Sequence, residues 1–158
     1  MAAAALTVAG AVIGAGCQQG GGSGDTDEGT LSTRDPQKVE AMQQGTVDVG
    51  TPADYPHDGA YANYVKPARV IVVRQGGRLS AVSSVCTHRS CNLKPVEDDL
   101  RCPCHGSRYD LSGHVFKGPS TRDLPHYAIA VGPNGRLTVD RSRKLPASDP
   151  AASVSATG

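Results

Sequence analysis

Two short segments of the chain concentrate the side chains that bind metals. Residues 86–91 read CTHRSC and residues 102–107 read CPCHGS, so each segment has two cysteines and one histidine. The fifth cysteine, Cys17, stands alone near the N-terminus. Thiolates and imidazoles at such short spacing on loops are typical of a metal site. The two segments, called box 1 and box 2 below, therefore predict a metal centre built from Cys and His side chains.

Zinc is the simplest metal for such residues, but the spacing is unusual for it. Zinc knuckles commonly present two cysteines separated by two to four residues, and a structural zinc takes four ligands. Here the first Cys–His pair is Cys86 with His88, the second is Cys102 with His105, and six potential ligands are available. A zinc domain without redox function and a set of purely structural disulfides both remain open alternatives.

The two boxes resemble those of the Rieske [2Fe-2S] proteins, and especially the disulfide-containing branch found in quinol–cytochrome c reductases. The resemblance extends over roughly residues 46–140. It implies that Cys86 and Cys102 bind one iron of a [2Fe-2S] cluster and that His88 and His105 bind the other. It also implies a disulfide between the remaining cysteines of the boxes, Cys91 and Cys104.

The resemblance assigns roles to further side chains around the cluster. Ser107 and Tyr109 match positions whose hydroxyls hydrogen-bond a bridging sulfide and a cysteine sulfur. Gly118-Pro119-Ser120 resembles the start of the Pro-rich loop that covers the cluster. Two imidazoles in place of two thiolates raise the reduction potential to about −150 to +300 mV, and hydrogen bonds to sulfur move it toward the upper part of that range. His105, exposed at the tip in the family, is expected to accept a hydrogen bond from quinol and to take up its proton.

One residue of box 1 departs from the family pattern, and three further histidines match none of its ligand positions. Arg89 stands where quinol-oxidising relatives usually carry Leu, in an apolar cap that docks on cytochrome b. A guanidinium at this position could contact an acidic protein partner, or it could simply be a solvent-exposed residue at the tip. His57, His114 and His126 match no ligand position, and we expect them to be surface or loop residues.

The elements that must position the boxes are short strands separated by turn signals. Runs rich in β-branched and other apolar residues flank Gly76-Gly77 and Asn134-Gly135, which predicts two hairpins. The predicted strands are residues 46–49, 68–74, 79–85, 127–131 and 136–140, with a short helical turn at 35–42. This pattern favours an all-β fold, a small antiparallel β sandwich or barrel. Residues 86–126 would be a loop-rich, irregular cluster-binding subdomain inserted between the hairpins.

The two ends of the chain predict targeting and flexibility. Residues 1–16 form an uncharged apolar run whose 15 residues after Met1 would span about 22 Å as a helix, too short for a bilayer. They are predicted to be a signal peptide or membrane-targeting segment, followed by a lipidated Cys17 and a flexible linker over 17–34. A truncated membrane anchor helix is the alternative. The folded domain would span 35–140, with a disordered tail at 141–158.

Composition and resemblance together lead to an expected function. Sixteen basic residues against fifteen acidic ones leave a net charge of +1, which gives no reason to expect nucleic-acid binding. The resemblance implies a membrane-tethered electron carrier on the outer face of a bacterial membrane. It would take one electron and a proton from quinol, alongside a cytochrome b, and reduce a c-type cytochrome. The alternative is a carrier or small subunit of a periplasmic oxidoreductase, similar to arsenite oxidase, that does not react with quinol.

Overall fold

The computed structural model describes residues 45–157 of the chain. The predicted targeting segment 1–16, Cys17 with its linker 17–34, and the helical turn at 35–42 lie outside these residues. The described part contains eleven strands: β1 (Thr46–Asp48), β2 (Gly59–Tyr61), β3 (Val70–Gln75), β4 (Arg78–Ser83), β5 (Lys94–Val96), β6 (Asp99–Arg101), β7 (Arg108–Asp110), β8 (Val115–Lys117), β9 (His126–Val131), β10 (Leu137–Leu145) and β11 (Ser153–Ser155).

Helical structure in residues 45–157 is limited to single turns. These are one α-helical turn, α1 (Val65–Ala68), and two 3-10 turns, Pro52–Asp54 and Pro150–Ala152. No helix in this part of the chain is long and apolar enough to cross a membrane.

The strands form two antiparallel sheets, which confirms the predicted all-β fold. The larger sheet has the order β1-β10-β9-β4-β3-β2, and β11 adds to β4. The smaller sheet has the order β5-β6-β7-β8. All strand pairs within these two sheets are antiparallel.

Both predicted hairpins form, at Gly76-Gly77 and at Asn134-Gly135, where glycine permits a tight reversal. Gly76 and Gly77 have φ angles of 56° and 75°, the left-handed region that a tight turn between β3 and β4 requires. Gly135, with φ of 73°, serves the turn between β9 and β10. Strand β3 begins at Val70 instead of residue 68, because α1 precedes it and Arg69 ends that helix with φ of 56°.

Strand β3 is buried on both faces and joins the two sheets through the core. Its residues Val70 to Val73 are all at most 1% exposed. Since successive side chains point to opposite faces, Ile71 and Val73 lie on one face and the other two valines on the opposite face. Ile71 and Val73 share a core cluster with Leu100 and Tyr109 of the smaller sheet. The metal-binding insert is therefore anchored to the larger sheet by packed side chains.

The insert differs from the irregular segment that the sequence predicts, because most of it belongs to the smaller sheet. Each of its four strands has only three residues, too short for alternation of apolar and polar residues to be recognised. The sheet is held instead by a cross-strand pair, Leu100 opposite Tyr109, with both side chains fully buried.

The C-terminal segment also differs from the predicted disordered tail. Strand β10 continues to Leu145, and β11 pairs with the first half of β4, opposite Arg78 to Ser80. Strand β9 pairs only with Ala81 and Val82, so the first half of β4 has hydrogen-bonding groups left for β11. A strand held by backbone hydrogen bonds needs few apolar side chains. The small and polar residues of this segment therefore gave no sign of the strand in the sequence.

His126 is a correction to the expected surface histidines. It lies in β9, is only 4% exposed, and its Nε2 donates to the carbonyl oxygen of Ser112 at 2.8 Å. His57 and His114 are exposed as expected.

Removal of residues 146–158 tests the contribution of β11. We expect the free energy of unfolding to fall by about 2 kcal/mol, because the ladder hydrogen bonds to β4 contribute roughly 0.5–1.5 kcal/mol each. The melting temperature followed by circular dichroism should fall by roughly 10 °C. Removal of residues 157–158 alone leaves β11 intact and is the control. Equal melting temperatures for the two truncations would contradict the pairing.

Candidate metal centre

Box 1 forms a closed loop that connects the two sheets. The backbone N–H of Leu93 donates to the carbonyl oxygen of Ser84 at 2.8 Å, below the loop. Within it, the N–H of Cys86 donates to Cys91 at 2.8 Å and the N–H of Ser90 donates to Cys86 at 2.9 Å. Ser90 has φ of 55°, the left-handed conformation that closes the turn. The loop is therefore fixed by its own backbone hydrogen bonds.

Box 2 repeats the same backbone pattern between β6 and β7. The N–H of Cys102 donates to Ser107 at 2.8 Å, and the N–H of Gly106 donates to Cys102 at 3.0 Å. Gly106 takes the left-handed position, with φ of 78°, that Ser90 takes in box 1. Cys86 and Cys102 therefore occupy equivalent positions, each as the first residue of a six-residue loop.

A disulfide joins the two loops. Cys91 and Cys104 are bonded, with their Cα atoms 6.6 Å apart, which confirms the predicted pairing. The bond spans 13 residues of sequence. Closing a loop of that length contributes about 3 kcal/mol in the chain-entropy model of disulfide stabilisation. The disulfide is the covalent link that holds the two loops side by side.

The other two cysteines of the boxes are free thiols in the interior. Cys86 is 1% exposed and Cys102 is 3% exposed. The Sγ of Cys102 lies within 4.8 Å of both disulfide sulfurs. Burial alone would raise the pKa of the Cys86 thiol, but hydrogen bonds from Tyr109, Cys102 and the backbone lower it overall. A thiol with a lowered pKa is suited to bind a metal as the thiolate.

The two box histidines lie against each other. The ring centroids of His88 and His105 are 4.9 Å apart and the rings are nearly perpendicular, at 88°. His88 is half-buried, and its Nδ1 is shielded from solvent and has no hydrogen-bond partner in residues 45–157. His105 is exposed. An unpartnered buried ring nitrogen is costly, and a metal ion is a ligand that would satisfy it.

Tyr109 contacts Cys86 from beneath box 1. Its hydroxyl oxygen is 3.4 Å from the Cys86 sulfur and accepts a hydrogen bond from the Thr87 N–H at 3.2 Å. Burial raises the pKa of the Tyr109 hydroxyl, and the neighbouring Cys86 raises it further. The phenol therefore stays protonated and can donate to sulfur.

Ser107 is fully buried and links box 2 to a third loop, residues 118–125. Its Oγ accepts a hydrogen bond from the backbone N–H of Ser120 at 3.0 Å. Among the described residues no acceptor is found for the Ser107 hydroxyl proton itself. That proton is available to an acceptor in the space between the loops.

Thr87 is a residue of the site that sequence reasoning missed. Its Oγ1 lies 3.0 Å from the Tyr109 hydroxyl, donates to the carbonyl oxygen of Arg122 at 2.6 Å, and contacts the hydroxyl of Ser120. The guanidinium of Arg122 donates back to the Thr87 carbonyl oxygen at 3.2 Å. Thr87 thus fastens box 1 to the third loop. Its position between two candidate ligands was the only signal in the sequence.

The family model of the Rieske [2Fe-2S] domain matches residues 45–128, more than half of the chain and all of both boxes. The chain belongs to the Rieske [2Fe-2S] family. The Rieske domain binds a [2Fe-2S] cluster, so membership favours an iron–sulfur centre over the zinc and disulfide-only alternatives. The disulfide between the boxes agrees with the disulfide-containing branch.

Several known Rieske proteins are similar to this chain. The cytochrome b6-f complex iron-sulfur subunit of Chlorobaculum thiosulfatiphilum is 40% identical over 97 residues, which are 60% of this chain and 52% of that protein. That of Chlorobaculum tepidum is 34% identical over 93 residues, which are 58% of this chain and 51% of that protein. The chain therefore spans about half the length of these curated relatives.

Among solved structures, the plasma membrane Rieske protein PetC3 from Synechocystis PCC 6803 aligns with this chain with a TM-score of 0.49. The two are 37% identical, and the alignment covers 59% of this chain and 97% of that chain.

The residues at the tip of this Rieske domain fit such a cluster. Two free, buried thiols and two imidazoles form the mixed sulfur and nitrogen donor set that a Rieske centre takes. The unpartnered Nδ1 of His88 and the unused hydroxyl proton of Ser107 are groups that a bound cluster would satisfy.

Proposed function

We propose that this protein is an electron-transfer subunit that takes one electron from a quinol and passes it to a cytochrome. The observation that carries the proposal is the geometry of the tip. Two loops with the same pattern of backbone hydrogen bonds are joined by the Cys91–Cys104 disulfide. The rings of His88 and His105 lie in contact beside them. When bound, the cluster supplies a one-electron centre of relatively high potential.

The ligands that we propose are two cysteines on the inner side and two histidines on the outer side. Cys86 and Cys102 are supported by their burial, their free thiols and their equivalent positions in the loops. His88 and His105 are supported by the contact of their rings and by the unpartnered nitrogen of His88. With cysteines inside and histidines outside, the imidazoles would be the part of the centre nearest to a partner.

His105 is the residue that we propose meets the quinol. It is exposed at the tip, so its ring can reach a bound molecule without movement of the loops. A ring nitrogen that binds no metal can accept a hydrogen bond from a quinol hydroxyl and then take its proton. The chain would thus receive the proton of the quinol together with the electron.

The partners that we propose are a cytochrome b and a c-type cytochrome of a respiratory complex. This rests on the relatives, which are named as subunits of cytochrome b6-f complexes. Location on the outer face of a bacterial membrane, through a signal segment at 1–16 or lipidation of Cys17, is part of the same proposal. Both segments lie outside the described residues.

One observation favours a second candidate function. Arg89 lies exposed in box 1 between His88 and the left-handed Ser90. A charged side chain at this position is unfavourable in an apolar quinol pocket, because a desolvated guanidinium is costly. It suits a carrier that exchanges electrons with a periplasmic oxidoreductase and never meets quinol.

Anaerobic mixing of the oxidised full chain with a short-chain quinol distinguishes the two functions. We expect the quinol to bleach the visible absorbance of the cluster, and the midpoint potential to fall as pH rises above neutrality, because His105 then takes up a proton with the electron. No reaction with quinol and a pH-independent potential would favour the oxidoreductase carrier. The absence of a cluster spectrum would contradict both.

Substitution of His105 tests the ligand assignment. His105→Ala should abolish or strongly change the visible and EPR spectra of the cluster, because one of its four protein ligands is removed. His114→Ala is the matched control, since His114 is exposed and ion-paired with Asp123 at 3.1 Å, outside the boxes. Unchanged spectra in the His105 variant would refute the assignment.

Removal of two hydroxyls tests the hydrogen bonds to sulfur. Ser107→Ala and Tyr109→Phe should each keep the cluster and lower its midpoint potential. In the wild-type chain each hydrogen bond stabilises the more negative reduced state, and the substitution removes that bond. A differential stabilisation of about 1.4 kcal/mol corresponds to about 59 mV for one electron, so voltammetry should record a shift of roughly that size per hydroxyl. Ser112→Ala, at an exposed serine bonded to Asp110, is the control. Equal midpoints in all three variants would exclude the role.

A further inference from the structure

Four basic residues lie side by side across the smaller sheet. The register pairs Lys94 with Arg101, Arg101 with Arg108, and Arg108 with Lys117. Directly paired residues point to the same face of a sheet, so the four side chains form one row. We call these four residues the basic row. It lies on the face opposite to the buried Leu100.

The basic row lies at the base of the loops that form the tip. Arg101 immediately precedes box 2, and Arg108 immediately follows it. Lys117 immediately precedes the third loop, and Lys94 follows shortly after box 1. Every strand of the smaller sheet therefore carries its basic residue at the end nearest to the site.

The structure holds the two arginines of the row in place. Like charges directly opposite each other destabilise a sheet, so the row needs compensation. Asp99 is 5% exposed and accepts from the Nε of Arg101 at 2.7 Å and from the Nε of Arg108 at 2.6 Å. Arg108 also lies over the ring of Phe116, 5.1 Å from its centroid.

The two lysines of the row, unlike its arginines, are not held by ion pairs within the described residues. Lys94 and Lys117 are exposed, and within residues 45–157 neither makes an ion pair. Phe116, 53% exposed, adds an apolar group beside Lys117. The row therefore presents fixed guanidiniums, accessible ammonium groups and one aromatic ring on a single surface.

The opposite end of the smaller sheet is acidic. Asp110 pairs with Asp99 across β6 and β7, and Asp98 lies in the turn between β5 and β6 beside Glu97, which ion-pairs with Arg101 at 3.4 Å. Asp98 and Asp110 also line a shared depression with Asp58. The acidic charge away from the tip is thus carried by Asp98 and Asp110, because Asp99 and Glu97 are paired with arginines of the basic row. Such a separation of charge turns a domain in the field of a charged partner before contact.

We propose that the basic row is the docking surface for an acidic face of the electron-transfer partner. The inference rests on the proposed function and adds the chemistry by which the partner is recognised. An acidic protein surface is attracted to the row and repelled by the far end of the sheet, so it approaches with the tip foremost. Arg89, exposed in box 1, adds a further positive charge at the tip itself.

Equilibrium binding tests this surface independently of electron transfer. The oxidised full chain is titrated with an oxidised acidic c-type cytochrome, and a basic c-type cytochrome is the second probe. The variant is Lys94→Gln/Lys117→Gln, which removes two charges that make no ion pair. The matched control is Arg78→Gln/Arg136→Gln, which removes the same charge. Arg78 begins β4 and Arg136 follows the turn between β9 and β10, both at the end of the larger sheet remote from box 1. Visible spectra verify that each variant keeps its cluster.

We expect the lysine variant to weaken binding of the acidic cytochrome about tenfold at low ionic strength, and the control by less than about twofold. The difference should disappear near 1 M salt, where the screening length is about 3 Å. The charge reversals Lys94→Glu and Lys117→Glu should weaken binding further and improve binding of the basic cytochrome.

Equal affinities of the lysine variant and the control for the acidic cytochrome would overturn the inference, as would stronger binding of the wild-type chain to the basic cytochrome. Either result leaves the proposed function intact if the cluster is present and quinol reduces it. A chain without a cluster would instead contradict the proposed function, whatever its binding.

Discussion

The covalent bond between Cys91 and Cys104 is the constraint on which the rest of the site depends. Box 1 connects the two sheets and box 2 lies within the smaller sheet, so the backbone hydrogen bonds inside each loop do not fix the distance between the loops. The disulfide links them covalently, and the hydroxyl of Tyr109 adds hydrogen bonds to box 1. The disulfide brings the buried thiol of Cys102 and the contacting rings of His88 and His105 to one end of the domain.

Hydroxyl groups complete the rigidity of the tip. Tyr109 reaches box 1 from the core, and Ser107 holds the third loop through Ser120. Thr87 contacts the hydroxyls of Tyr109 and Ser120. A redox centre benefits from such stiffness, because a site that moves little between oxidation states exchanges electrons with less reorganisation of its surroundings. The same hydroxyls would set the potential of a bound cluster.

Charge placement complements this rigid tip. The interior of the smaller sheet joins the larger sheet through Ile71 and Val73, while its outer face carries the basic row next to the loops. In this arrangement the core positions the centre, and we propose that the outer face selects the partner that approaches it. Arg89, exposed in box 1, adds a further positive charge at the tip.

The amino-acid sequence by itself determined the chemistry and the main hairpins. The glycine turns and the β-branched runs are local signals that predicted the antiparallel fold. The two boxes carry the resemblance to the family, and the resemblance implied the disulfide. Tertiary structure alone decided the three-residue strands of the insert, the pairing of β11, the burial of His126, the role of Thr87 and the basic row. These depend on which backbone edges and side chains meet across distant segments, and no local pattern of residues records that.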